Sequence, residues 1–248
     1  MTVDYNDIAH GYGDTRREDP QVAAQIWAHL GDAHTILNVG AGKGSYEPQD
    51  RSVISIEPSW NMIKKHRSLN GFQVQGCAEY LPFADNSFDA VMGVLTIHHW
   101  SSPDKGLHEM LRVSRDVVVL LTFDPAIQTC WLLKYFPQLA ELDAQIMPPL
   151  DIYSSVWGDV DIYPLMVPSH CQDGFLYAFW ARPEAYLNEA VRSSMSSFRQ
   201  IDDVENGLYQ LKSDLESGKW HKDQGHLLKR ESLDVGYRLV IGRNLATK

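Results

Sequence analysis

Three glycines at alternate positions, Gly40, Gly42 and Gly44, close the apolar run ILNV, and a carboxylate, Glu57, ends the next apolar run. Further on, TIHHW sets His98 beside His99, and Asp124 follows DVVVLLTF. Glycine lets a backbone approach a ligand with no Cβ in the way and tolerates positive φ. A loop of this kind holds a phosphate, a dinucleotide, another nucleoside cofactor, or nothing beyond a tight turn. The phosphate pattern GxxxxGK[ST] is absent, since GKG at 42–44 closes no such loop. The dinucleotide pattern GxGxxG fails as well, because here the third glycine falls one position early. Glu57 narrows the choice. Standing seventeen residues after Gly40, at a strand end, its carboxylate can accept hydrogen bonds from both hydroxyls of a ribose. Histidine can take a proton from a nucleophile near neutrality, so His99, then Asp124 and His98, are the candidate proton acceptors. The bland alternatives are a histidine packed in the pocket wall and an aspartate capping the helix after it. No metal is expected, because neighbours in sequence rarely point at one ion and no third ligand has suitable spacing.

These groups meet only if the strands before them lie side by side. The chain has 248 residues, 44% hydrophobic and 22% charged, enough for one buried α/β domain but hardly for two separate cores. Apolar runs at 34–40, 52–58, 72–77, 88–97 and 116–123 read as strands, with helices at 19–31, 59–68 and 103–114 between or before them. Such alternation predicts a doubly wound, Rossmann-like α/β sheet. Beyond Asp124 the rhythm breaks. Segments 126–147, 173–187 and 202–218 read as helices, the first two rich in aromatics, and 161–168 as a strand. The run VGYRLVIG (235–242) closes the chain as a strand that could be antiparallel after so long an excursion. A net charge of -10 without a basic cluster argues against nucleic acid and anionic membranes as partners. Cys77, Cys130 and Cys171 are isolated, and the polar, acidic N-terminus is no signal peptide, so a cytoplasmic protein is expected.

The stretches LNVGAGKGSYEP, ISIEPSWNMI and AEYLPFADNSFDAVMGVLTIHHW, with the opening YNDIAHGY and RR, resemble class I S-adenosylmethionine-dependent methyltransferases, near the ubiquinone/menaquinone-biosynthesis branch. The resemblance covers roughly residues 5 to 125. It implies a seven-stranded sheet with a reversed last strand, S-adenosylmethionine as cofactor and S-adenosylhomocysteine as product. It also implies one domain over 1–248, with lid helices in 1–30, a cofactor half in 31–125 and a helical, aromatic substrate-side cap in 126–248. By position, Gly40, Ala41, Gly42 and Gly44 would line the methionine part, with Leu95 nearby. Glu57 and Pro58 would hold the ribose, Met62 the ring, and Ala78 and Glu79 the adenine. Tyr12 and Arg17 would belong to the lid, the arginine pairing with the cofactor carboxylate. One departure stands out: Asn38 occupies a place where the family commonly has an acid, keeping the hydrogen-bonding shape and losing the charge.

The expected reaction is methyl transfer to an oxygen, nitrogen or carbon of a small molecule. Trp131, Tyr135, Phe136, Phe175, Tyr177, Phe179 and Trp180 would either wall its pocket or form ordinary core. Two other readings stay open: the same fold binding the nucleoside without methylating, and a nicotinamide-dependent oxidoreductase.

Overall fold

The computed structural model describes residues 17–66 and 71–244. Its strands are β1 (Thr35–Val39), β2 (Ser52–Glu57), β3 (Phe72–Gln75), β4 (Phe88–Val94), β5 (Ser114–Phe123), β6 (Val160–Pro168) and β7 (Ser232–Arg243). They form one seven-stranded sheet in the order β3-β2-β1-β4-β5-β7-β6. Strands β1 to β5 run parallel, and β7 pairs antiparallel to β5 from Val117↔Arg243 to Phe123↔Tyr237. The reversed last strand expected from the resemblance is therefore present. Strands β1, β4 and β5 are buried along nearly their whole length, which is why they read as continuous apolar runs. Between β1 and β4 the connections depart in opposite directions, and a ligand crevice forms outside the carboxyl ends of strands at such a point.

The described chain divides into two compact units. The larger takes in Ala23–Asp124, Ile146–Leu165 and the chain from Tyr237. Within it the helix Pro103–Val113 packs on the sheet through Leu107, Met110 and Val113, and Trp157 donates to the Leu107 carbonyl at 2.9 Å. That tryptophan ends a helix, Asp151–Trp157, which the sequence reading did not separate from its surroundings. The helix expected over 59–68 is short, Trp60–Ile63, with Ser59 accepting from the Met62 N–H as its cap. No helix joins β1 to β2. Residues 40–51 run as turns instead, and the Trp27 indole donates to the Tyr46 carbonyl at 2.8 Å to hold them.

The smaller unit contains Pro125–Gln145, Met166–Gly236 and the described residues before Ala23. Two expected helices are corrected here. Segment 126–147 is broken at Pro137 into a 3-10 turn, Trp131–Lys134, and the helix Gln138–Ile146. Segment 173–187 is not helical before the 3-10 turn Pro183–Leu187. Turns and side chains bond its carbonyls instead: Ala178 N–H donates to Phe175 O and Arg182 N–H to Phe179 O, both at 2.9 Å, while Trp131 donates to Trp180 O at 2.7 Å and Tyr186 to Leu176 O at 2.8 Å. The aromatic residues fill space with one another. Trp131 meets Trp220 edge-on at 5.3 Å and Tyr186 at 5.7 Å, and Phe136 meets Phe198 at 5.1 Å. All seven aromatics proposed as a pocket wall are at most 7% exposed.

Candidate functional site

The glycine loop leaves β1 with Gly40 at φ +67°, Gly42 at +57° and Gly44 at +78°, a backbone that side chains rarely adopt. Two of the three glycines are also dictated by crowding. A Cβ on Gly40 would stand 1.9 Å from Thr96 Oγ1, and one on Gly44 would stand 2.4 Å from His66 Nε2. A Cβ on Gly42 would meet nothing within 4 Å. Gly42 is thus the point where the loop lies open, and buried Ala41 lies next to it. Backbone N–H groups of Gly40 and Ala41 donate to Ile56 O at 2.9 and 3.2 Å, which fixes the loop to the end of β2.

Glu57 sits at that end, 6% exposed. One carboxylate oxygen accepts from the Gly42 N–H at 2.9 Å and the other from the Ser59 N–H at 2.9 Å. A carboxylate has about four acceptor positions, so two remain for further donors. Burial raises its pKa, while the Ser59 and Gly42 N–H bonds act the other way. Pro58, beside it, is exposed, and Met62 is buried at the start of the next turn.

Strand β4 brings the second wall. Leu95 leaves it at φ +50°, a strained conformation for a branched side chain, with its N–H bonded to Leu121 O at 2.8 Å. Thr96 then packs on Gly40, and Ile97–His99 forms a 3-10 turn. The rings of His98 and His99 lie 3.9 Å apart, centre to centre, at 47°. Burial lowers the His99 pKa to about 4. It is therefore a neutral acceptor at pH 7 and a weak base. Asp124 follows β5, half-buried, and no helix begins after it, so the capping alternative does not hold.

Glu79 does more structural work than its sequence placement implied. Its Oε1 accepts from Ser101 N at 2.7 Å, Ser101 Oγ at 2.8 Å and Ser102 N at 3.1 Å. Ser102 precedes the helix Pro103–Val113 and makes no side-chain cap bond, so Glu79 takes over part of that task from a distance in sequence. One oxygen is thereby committed, the carboxylate also bonds the Glu79 backbone N–H, and Ala78 beside it is buried. Glu79→Ala is expected to cost about 1–2 kcal/mol of stability, read in denaturant unfolding, because a charged acceptor is lost next to a helix start.

The sequence reading also missed a buried network. Glu47 Oε1 accepts from Asn38 Nδ2 at 2.9 Å and Ser55 Oγ at 2.6 Å, and His66 Nε2 lies 3.3 Å away. The only hint was an acid three positions after the last glycine. Arg17 is exposed at the start of the described residues, and Tyr12 lies outside them. Among the described residues no group of three or more His, Cys, Asp or Glu could hold a metal, and no helix is long and apolar enough to cross a membrane.

The loop, Glu57 and the β4 exit thus share one edge of the larger unit. With no helix after the glycines, that edge lacks the helix N-terminus on which a dinucleotide pyrophosphate is normally held.

A family model described as "Methyltransferase domain" matches residues 37–121. A solved protein from Anabaena variabilis, assigned as a methyltransferase of an antibiotic biosynthesis pathway, is 34% identical with a TM-score of 0.85, over 93% of this chain and 99% of its own. Demethylmenaquinone methyltransferase of Renibacterium salmoninarum is 33% identical over 54% of this chain. The match spans 62% of that relative, less than two thirds of its length. Phosphoethanolamine N-methyltransferase 2 of Haemonchus contortus, solved with S-adenosyl-L-methionine, shares the fold at 14% identity and a TM-score of 0.55, over 95% of this chain and 56% of its own.

Proposed function

We propose that this chain, which belongs to the class I S-adenosylmethionine-dependent methyltransferases, binds that cofactor at the glycine loop and methylates a small molecule. The observation that carries the reading is Glu57, bonded to the Gly42 N–H at the point where the loop is open. When bound, S-adenosylmethionine supplies an electrophilic methyl group on a sulfonium whose departure needs no acid.

The chain's own residues fit such a group. Glu57, beside Pro58, has acceptor positions left for two ribose hydroxyls. Gly40, Gly42 and Gly44 admit the amino-acid part by presenting backbone alone and Ala41 adds only a buried methyl, with Leu95 closing the β4 side. Met62 offers an apolar contact for the base, and the Ala78 main chain with the Glu79 carboxylate offers polar ones. Arg17 and Tyr12 are assigned to the lid by position. Exclusion of water and alignment of the nucleophile are what the enzyme adds.

His99 is the proposed contact for the acceptor, with His98 and Asp124 as neighbours in the same role. Held near a pKa of about 4, His99 accepts a hydrogen bond at neutral pH but drives proton removal weakly. An activated carbon or an acidic hydroxyl therefore suits it better than an ordinary alcohol. The sign gives a test. A lowered histidine pKa keeps the ring neutral until pH falls to about 4, so turnover is expected to stay flat from pH 6 to 8. A break near pH 6.5 that vanishes in His99→Gln would show that the ring titrates normally and acts as the base.

The acceptor is proposed to be a small molecule met in the cytoplasm; the net charge of -10 disfavours a nucleic acid in that role. Transfer of a labelled methyl group to candidate quinols, phenols and amines tests the reading directly; product from none of them, with cofactor bound, would favour a non-methylating role.

A further inference from the structure

Beneath the glycine loop, the contact between Asn38 and Glu47 decides which way an amide faces. Asparagine has an accepting end and a donating end of almost the same shape, and only its neighbours choose between them. Here Nδ2 donates to Glu47 Oε1 at 2.9 Å. An ionised carboxylate offers no donor, so the opposite orientation would set two acceptor oxygens against each other. Burial pushes the Glu47 pKa up, but its bonds to His66, Ser55 and Asn38 outweigh this and keep it below the ordinary value. Both side chains are 1% exposed.

With Nδ2 pinned, Asn38 Oδ1 is left as a buried acceptor with no hydrogen-bond partner among the described residues, and so is Glu47 Oε2. Glu47 Oε2 lies 3.0 Å from the place a Gly44 Cβ would take, which puts it against the third glycine of the loop. Two buried acceptors, one of them charged, are unfavourable unless donors or a cation meet them. An ammonium group is both, with three N–H donors and a positive charge.

We propose that Glu47 is a positioning residue: it turns the Asn38 carbonyl oxygen toward the α-ammonium of the methyl donor and supplies the negative charge that Asn38 lacks. This rests on the reading of the loop as the S-adenosylmethionine site. The acid and the amide have in effect changed places, the amide standing on β1 and the carboxylate arriving from the turn after the glycines. Ser55 on β2 and His66 hold the carboxylate from its other sides.

Calorimetry with two probes tests this. S-adenosylhomocysteine carries the ammonium; 5′-methylthioadenosine shares the nucleoside and lacks the amino-acid part. Glu47→Gln is expected to weaken S-adenosylhomocysteine about tenfold and 5′-methylthioadenosine by less than about twofold. Asn38→Asp alone sets two carboxylates side by side and is expected to weaken the former to a similar degree. The double variant Asn38→Asp/Glu47→Gln exchanges acid and amide and is expected to recover affinity to within about threefold of the wild type. Equal losses for both probes in Glu47→Gln, or a double variant as weak as the singles, would overturn the proposal. Should Glu47→Gln fail to fold, Asn38→Ala serves: it removes the oxygen and must weaken only the probe with the ammonium. A wild type that binds neither probe sinks the loop reading and this proposal together, whereas a binding wild type with unselective variants sinks this proposal alone.

Discussion

Glu57→Ala is expected to weaken S-adenosylmethionine binding about a hundredfold. Each hydrogen bond from a ribose hydroxyl to an ionised carboxylate contributes about 1.5 kcal/mol or somewhat more, and two are lost together. The substitution also removes the acceptor for the Gly42 and Ser59 N–H groups, so the loop loses its anchor at the point where it is open. Glu57→Gln separates these effects. It keeps one accepting oxygen and brings a donor where only acceptors serve, so a loss of about tenfold is expected. Calorimetric titration of both variants checks the order. A change below about threefold in Glu57→Ala would mean that the ribose lies elsewhere.

The second large effect separates two glycines that look equivalent in sequence. Gly40→Ala places a Cβ 1.9 Å from Thr96 Oγ1 and 2.8 Å from Thr96 Cβ, at φ +67°. Thr96 has little room to yield, being 6% exposed, with its hydroxyl accepting from the Trp100 indole at 3.3 Å. Overpacking and the left-handed backbone add, and a loss of about 3 kcal/mol of stability is expected, with turnover reduced at least about a hundredfold. Gly42→Ala meets no atom within 4 Å. Its stability cost is expected to be the backbone strain alone, about 1–2 kcal/mol. Its methyl group, however, enters the open space assigned to the ligand, so cofactor affinity is expected to fall by at least about tenfold while the protein stays folded. Thermal unfolding beside titration reads the two losses separately. A Gly42→Ala variant that binds normally would contradict the placement of the ligand.

The parts that were legible in the sequence are those in which local pattern and tertiary role coincide. β1, β4 and β5 are buried on both faces, so an apolar run closed by glycine or a polar residue marks each of them. Gly40, Gly42 and Gly44 could be read as a loop because a positive φ leaves a signature in residue type. The aromatic segment 173–187 misled for the opposite reason. Its residues suit a helix or a core equally, and what decides is that Trp131, from an earlier segment, bonds Trp180 O while Tyr186 folds back onto Leu176 O. Glu47 was invisible on similar grounds. Its partners, Asn38, Ser55 and His66, come from different elements, and no spacing rule links them. The bonds of Glu79 to Ser101 and Ser102 were not legible either, because they depend on where the helix after β4 begins. Asparagine in place of an acid at position 38 is legible in the sequence; that Glu47 sits against Asn38 is legible only in three dimensions.

Titration of the purified wild-type chain with S-adenosylmethionine, S-adenosylhomocysteine and NAD in parallel calorimetric runs tests the central claim most directly. Glu57, the open Gly42 and the absence of a helix after the loop predict micromolar binding of the first two and none of NAD. Binding of NAD, or of none of the three, would contradict it.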